Sequence, residues 1–533
     1  MDIKGCIQMN KRMKPLALFF LAFVSINSSL FSLARSEPLV PGEDNIDLLF
    51  KPNHSSSSDV KNSSDKLILE LNAIRSRVNQ NSRELSLALC LKEGIQNNHQ
   101  LASAYATIQQ YEYSLIATKR GFIPSLSLSG LQPFLGRVYT SNSSRQQINE
   151  PVSINPDGTV TDSIITESSN SQEEYLQFAP YLTFTWSFFQ PSLPASISSA
   201  KATLNQQKLA FNVSARSAIL DLQQSYFQLQ SSASLIKSFE KIYSINLEQV
   251  NYVEARQKAG LIDVGAVDQA KSQLYSQANQ LIGYYRDYLK NSSDLALAMN
   301  TSSDVVIVPS DDFTLVGEWN ESISETIDHA LAMREEIKGF LESANSSIWS
   351  ARAAIRSYLP ELMLQGFAYG EYEKGSVEGL SLSSQYGYGA IGLGLTWDIF
   401  DGGVKAAEAS SYKSSAKSAR QKAEYTKDKI KQQIRQAYSI YKTSALALQN
   451  AYLNLSVSTN SIKVNKSRFS VGLGDITSIV QSMQLLGEAT RQYNQAILGH
   501  NTSVAELYRY SATWPEHTES IVLHTADKLK NND

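Results

Sequence analysis

The chain has 533 residues, a formal net charge of −3 from 48 basic and 51 acidic side chains, and 42% hydrophobic residues. A near-neutral balance that leans acidic gives no basic footprint for nucleic acid. The two cysteines, Cys6 and Cys90, lie on opposite sides of an expected leader cleavage, which excludes an intramolecular disulfide in the exported chain.

Lys11, Arg12 and Lys14 precede an apolar run from Leu16 to Ile26, and Ser32-Leu33-Ala34 puts small residues at both cleavage-determining positions. Residues 1–34 therefore read as a secretory signal peptide cut after Ala34. Its loss removes Lys4, Lys11, Arg12 and Lys14 against Asp2 alone, leaving a more acidic mature chain. Cys6 precedes the apolar run, so it cannot be the acylated first residue of a lipoprotein. No later stretch approaches the roughly 18 to 20 apolar residues of a spanning helix. If the chain crosses a membrane, it does so with strands. Residues 35–84, with Ser55 to Ser58 consecutive, lack an apolar period and read as a flexible extension.

A first repeat spans 85–300. Helical composition from Leu85 to Arg120 is stopped by Gly121 and Pro124. A strand at about 123–131 alternates Leu126 and Leu128 with Ser127 and Ser129. A second, at about 176–189, alternates Leu182, Phe184, Trp186 and Phe188 with Thr183, Thr185 and Ser187, so one face is apolar and the other small or polar. Between them, 132–174 reads as a polar loop. From Ala195 to Ala259 there is neither Pro nor Gly, and Leu222, Leu229, Ile236, Tyr243 and Val250 recur at every seventh position with Ser225 and Ser232 between them. Large and small residues on a heptad seam predict closely packed, left-handed supercoiled helices. As one helix this segment reaches roughly 100 Å at about 1.5 Å per residue. Gly260 ends it, 260–264 forms a tip, and a helix returns over Val267 to Met299.

Residues 301–322 connect to a second repeat, with a short strand predicted at Val305 to Val308. The second repeat, 323–515, replays the first: a helix from Ile323 to Ser357 stopped by Pro360, strands at about 360–369 and 387–400, and a helix from Val404 to Val471. Leu362, Leu364 and Gly366 match Leu126, Leu128 and Gly130, and Gly394-Leu395-Thr396-Trp397 matches the first tryptophan strand. After Gly366 the apolar phase moves to Phe367 and Tyr369, which predicts a bulge or bend, and 370–385 reads as the second polar loop. Ile434, Tyr441, Leu448, Leu455, Ile462 and Phe469 carry the second seam, with Ala437, Ser444, Ala451 and Ser458 as its small residues. The second tip is 472–476, the return helix Thr477 to Tyr510, and 516–533 a polar tail. The copies lose register once, because the interval from Pro124 to Trp186 exceeds that from Pro360 to Trp397.

Strands with one lipid-compatible face must close into a barrel, since a bilayer satisfies no open edge. Four strands cannot close, so several chains must share one barrel, and the helical seams likewise need neighbours beyond their hairpin partner. The expected fold is mainly α with a transmembrane β part: a tandem repeat of long coiled-coil hairpins plus four strands per chain, completing a shared α-barrel and β-barrel. In this order, and twice, the elements from Leu85 to Pro515 resemble the TolC-like outer-membrane efflux proteins. The resemblance implies a homotrimer with a twelve-stranded outer-membrane barrel embedded in outer-membrane lipid and a twelve-helix periplasmic tunnel. It implies as partners a periplasmic adaptor, or membrane fusion protein, and an inner-membrane transporter. The function implied is export of small molecules, proteins or both from periplasm to exterior, in tripartite efflux or type I secretion.

Gly260, Leu261, Gly472 and Leu473 match the family's adaptor-docking tip. The carboxylates that constrict the family's closed end are replaced by Ser478 and Gln481, leaving Asp263, Asp268 and Asp475 as candidates for a different constriction. Asp263 and Asp475 read equally as helix N-caps. Trp186 and Trp397 are read as membrane-interface aromatics rather than core rings. No catalytic, metal or cofactor motif is present, so an enzyme is not expected. The rival readings are a secreted coiled-coil structural or adhesive protein and an oligomeric pore-forming toxin.

Overall fold

A computed structural model describes residues 82–147, 164–302, 304–377 and 380–531, with isolated positions from 69 to 76 and at 156 and 157. The expected signal peptide and most of the extension lie outside the described residues. The end of that extension is ordered into a strand: β1 (Ser82–Leu85) pairs in parallel with β6 (Val306–Pro309), the strand expected in the connector.

Each repeat opens on a pair of helices where the composition predicts one. In the first, α1 (Leu87–Gln96) and α2 (His99–Lys119) are separated because Asn98 turns its side chain onto the Leu101 N–H at 2.9 Å, capping a new helix. In the second, α5 (Ile323–Met333) starts on a Ser322/Glu325 capping box, and α6 (Glu335–Arg356) follows a break at Arg334, whose backbone is extended. The long hairpins match expectation. The first is α3 (Leu193–Lys258) with α4 (Val264–Ala298), the second α7 (Val404–Ser470) with α8 (Ile476–Ser511). Their seams are buried at Leu222, Leu229, Tyr243 and Val250 in one, and at Ile434, Tyr441, Ile462 and Phe469 in the other. The tail expected to be merely polar forms α9 (Thr518–Asn531), with Thr518, Val522 and Thr525 buried on one side.

The sheet contains more strand than the sequence predicts. Its segments are β2 (Ser125–Ser129), β3 (Phe134–Gln147), β4 (Ile164–Phe178), β5 (Tyr181–Phe189), β7 (Glu361–Val377) and β8 (Leu380–Thr396). β7 pairs with β5 and β4 along one edge and with β8 along the other, so β2/β3, β4/β5, β7 and β8 make four antiparallel tracks. The stretches expected as loops at 132–174 and 370–385 are largely hairpin, because cross-strand pairing holds polar residues in strands without any hydrophobic alternation. The break in the first two tracks is local. Gly130 has φ +71° and approaches the Ala179 carbonyl so closely that a Cβ there would lie 1.8 Å from the oxygen, and Pro180 follows directly. The bulge expected after Gly366 is absent: β7 and β8 keep one register from Glu361↔Thr396 to Val377↔Leu380. An irregularity lies instead between Trp186 and Phe189 of β5. β8 also ends at Thr396, short of the expected 400.

Well along the helices from the sheet, the two repeats are joined by a buried ionic cluster drawn from three helices and the α5–α6 break. Arg216 meets Glu335 at 3.1 Å and lies 3.7 Å over the Trp514 ring; Arg334 and Arg509 meet Glu336 at 2.7 and 2.9 Å. The connector is strapped over the second hairpin. Trp319 donates its backbone N–H to the Tyr441 hydroxyl at 3.0 Å, Asn501 bridges Thr314 and Val316, and His500 meets the Gly317 carbonyl. Burial raises the Glu336 carboxyl, but the hydrogen bond and charge of Arg334, with the charge of Arg509, overcome it and bring it down to about 2 from an ordinary 4.5. A carboxylate depressed in this way contributes stability that is complete above about 4.5 and is lost as pH falls toward 2. Thermal unfolding of the helical signal should therefore fall more steeply over that window in the wild-type protein than in E336Q, and parallel curves would remove the cluster from the acid response.

Candidate membrane sheet and helical tip

Pairing assigns every strand residue to one of two faces, because residues directly opposite in an antiparallel ladder point the same way. Leu126, Leu128, Leu182, Phe184, Trp186, Leu362, Leu364, Ile391, Leu393 and Leu395 share one face. Ser125, Ser127, Thr183, Thr185, Gln365, Gly392, Gly394 and Thr396 share the other. The apolar face is bare: Ile391 is 71% and Leu393 79% exposed. The outer edges of β8 and of β2/β3 have no strand partner among the described residues. A monomeric soluble protein does not leave such a patch uncovered.

The two tryptophans occupy matching positions where strand meets helix. The Trp186 indole N–H donates to the Phe122 carbonyl and that of Trp397 to the Tyr358 carbonyl, each at 2.9 Å. Each ring is therefore pinned by the turn just past the helix that leads into the neighbouring strand, with its apolar body outward and 37% and 54% exposed respectively. Beyond Trp397 the joint is tied down by Lys405, which meets Asp398 at 2.8 Å and the Ser357 carbonyl at 3.1 Å.

At the opposite end each hairpin turns through a Schellman motif. Gly260 (φ +73°) and Gly472 (φ +80°) take the left-handed conformation, while the N–H groups of Leu261 and Leu473 reach back to the carbonyls of Arg256 and Arg468, each at 2.9 Å. Both leucines project outward, 64% and 72% exposed. Asp263 and Asp475 then cap the return helices, accepting from the N–H of Ala266 and Ser478 at 2.8 Å. Hydrogen bonds from the Ser478 side chain and backbone hold the Asp475 carboxyl below its ordinary range. Asp268 is exposed on the first turns of α4, Ser478 sends its carbonyl toward Asn465, and Gln481 is exposed.

The sequence reading misses the contacts that join the tips. Arg256 donates to the Phe469 carbonyl at 3.0 Å and stacks over its ring, and Gln269 meets Thr477 at 3.4 Å. The signal lay in the repeat, since Arg256 and Arg468 stand at matching positions, four residues before each tip glycine.

A sheet with one bare apolar face and open edges among the described residues, continued by two long helical hairpins, defines the architecture of a membrane channel component. The model of the outer membrane efflux protein family matches residues 90–301 and 327–513, and the chain belongs to that family. Its fold resembles the Campylobacter jejuni CmeC outer membrane channel, with a TM-score of 0.62 at 18% identity over 91% of this chain and 95% of the other. It also resembles the Vibrio cholerae outer membrane protein VceC, with a TM-score of 0.60 at 16% identity over 80% and 96% of the two chains. The Neisseria gonorrhoeae MtrE outer membrane channel in its open state is similar at a TM-score of 0.57, 18% identity, and 80% and 89% coverage. No curated protein sequence matches. The protein is an outer-membrane efflux channel component with its helical hairpins on the periplasmic side, and the adhesive and toxin readings are set aside.

The face assignment has a direct consequence. L395R would place a charge on the bare face at a cost on the order of 2 to 4 kcal/mol near a bilayer midplane and less toward the interface. T396R, on the polar face, should assemble in the outer membrane at wild-type level. Equal assembly of both, measured as heat-modifiable oligomer in outer-membrane fractions, would contradict the assignment.

Proposed function

We propose that three copies close a twelve-stranded barrel and a tunnel of long helices, and that this homotrimer is the outer-membrane exit duct of a tripartite efflux or type I secretion assembly. The observation that carries the proposal is the sheet whose two edges are open and whose apolar face is bare, since hydrocarbon tolerates neither an open edge nor four strands alone. Exposed apolar residues on α7, among them Tyr425, Leu446 and Val457, support the same reading by presenting a second helical face. Native mass spectrometry in detergent should return a trimer, and a monomer under conditions that keep the helical signal would refute closure by three.

The tip glycines and leucines, Gly260, Leu261, Gly472 and Leu473, would form the docking surface for a periplasmic adaptor that links the duct to an inner-membrane transporter. Exposed leucines on rigid Schellman turns supply apolar contact at little ordering cost. Trp186 and Trp397, pinned at the joint of strand and helix, would mark the periplasmic membrane interface. Asp263, Asp475 and Asp268 would line the periplasmic opening, the first two while also capping their helices. Replacing Leu261 and Leu473 together by Asp should abolish export and adaptor crosslinking while oligomer levels in the outer membrane stay normal. Wild-type export with undiminished crosslinking would remove the docking role.

A further inference from the structure

The polar face of the sheet carries an aromatic cluster among its otherwise mostly small and polar side chains. Phe367 and Tyr369 of β7 fall on it by register, as do Tyr386 and Tyr388 of β8 and Tyr181 of β5. They form a continuous aromatic patch. Tyr181 meets Phe367 and Tyr369 with ring centroids 5.9 and 6.0 Å apart, Phe367 meets Tyr388 at 5.7 Å, and Tyr369 meets Tyr388 at 5.4 Å. At its upper end Glu371 is only 8% exposed. Its carboxylate accepts from the Tyr369 hydroxyl at 2.6 Å, from the Tyr386 hydroxyl, and from the Gln177 amide of the neighbouring track.

Three properties of this cluster point to a ligand. Its position rules out a membrane-interface role, because Trp186, Leu364 and Leu393 lie on the other side of the same strands. Its rings are not consumed by packing, since Tyr386 and Tyr388 remain 50% and 58% exposed. Its charge is uncompensated: all of the donors to Glu371 are neutral, and among the described residues no lysine or arginine pairs with it. A fixed negative charge beside electron-rich ring faces is complementary to an organic cation, which takes the ring quadrupole and the carboxylate field together. Anions meet repulsion from both.

We infer that Glu371 and the aromatic patch around it form a transit site inside the barrel for small organic cations that carry an apolar or aromatic body. The inference rests on the barrel reading above, which turns this face toward the lumen. Each copy of the chain then contributes one such site partway along the exit, where weak, sequential contacts hold a cationic cargo without trapping it. Neutral hydroxyl and amide donors fix the carboxylate in place without a competing internal cation.

The test uses the full-length protein in lipid nanodiscs, with benzyltrimethylammonium as probe and benzenesulfonate as its anionic counterpart, followed by saturation-transfer nuclear magnetic resonance. Wild-type protein should bind the cation and not the anion, E371Q should weaken binding about tenfold, and Y388L about threefold. Y388L guards against misfolding, because Tyr388 is the most exposed ring of the cluster. Equal affinities in the three proteins, no binding by the wild type, or equally tight binding of benzenesulfonate would overturn the site. A second arm separates this from failure of the barrel reading. In intact outer membranes a membrane-impermeant maleimide should label Y388C and spare L393C, with fully buried Cys90 giving no background. The reverse labelling pattern would overturn the face assignment and the site with it, whereas the expected labelling without cation binding would overturn the site alone.

Discussion

A backbone that enters hydrocarbon must pair every N–H and C=O with another strand, and the four tracks of this chain leave two edges unable to do so. From this one constraint the rest of the architecture follows. The apolar face cannot be covered by the chain's own helices, which leave the sheet end-on instead of packing across it. In the proposed trimer the missing partners come from other copies, so the same surface that would aggregate in water becomes the means of assembly. The tandem repeat halves the problem, because each repeat supplies two tracks and one hairpin and the second inherits the pairing geometry of the first.

Much of this was legible in the sequence. The heptad seams fix the long helices, because burial of Leu222, Leu229, Tyr243 and Val250 needs nothing beyond periodicity to predict it. The tips were legible because Gly260 and Gly472 occupy a turn whose left-handed φ few other residues accept. What stayed hidden depends on pairing between segments far apart in the chain. The polar stretches between the expected strands carry no hydrophobic alternation, and only their partners make them strands. The break at Arg334 and the strand at Ser82–Leu85 were equally silent, since each depends on contacts to distant residues, Gln433 in one case and Val306–Pro309 in the other.

The shift of aromatic residues at Phe367 and Tyr369 illustrates how composition misleads. Apolar residues in a new phase predict a bulge or bend. The unbroken register of β7 and β8 keeps the backbone regular and moves the side chains instead, to the face shared with Thr183 and Gln365. An aromatic residue in a barrel strand therefore says little about lipid until its parity is known. Similarly, Asp263 and Asp475 could be read from sequence as gate or cap, and the carboxylate that follows each Schellman turn does cap the return helix.

The α7 seam has a further consequence. Ala409, Ala416, Ala423, Ile430, Ala437, Ser444, Ala451 and Ser458 are buried at an unbroken seven-residue spacing, nearly all of them small. A ruler with identical divisions cannot report where along it one stands, and a helix that slid by one heptad would present almost the same surface. The contacts that index α7 are those that do not repeat. The Tyr441 hydroxyl holds the backbone of Trp319, and the connector beside it is held in turn by Asn501 and His500 of α8. The short strap between the repeats thus joins the Lys405 joint, the Arg334–Gln433 contact and the Arg256–Phe469 contact in selecting one longitudinal setting from a series of near-equivalent ones.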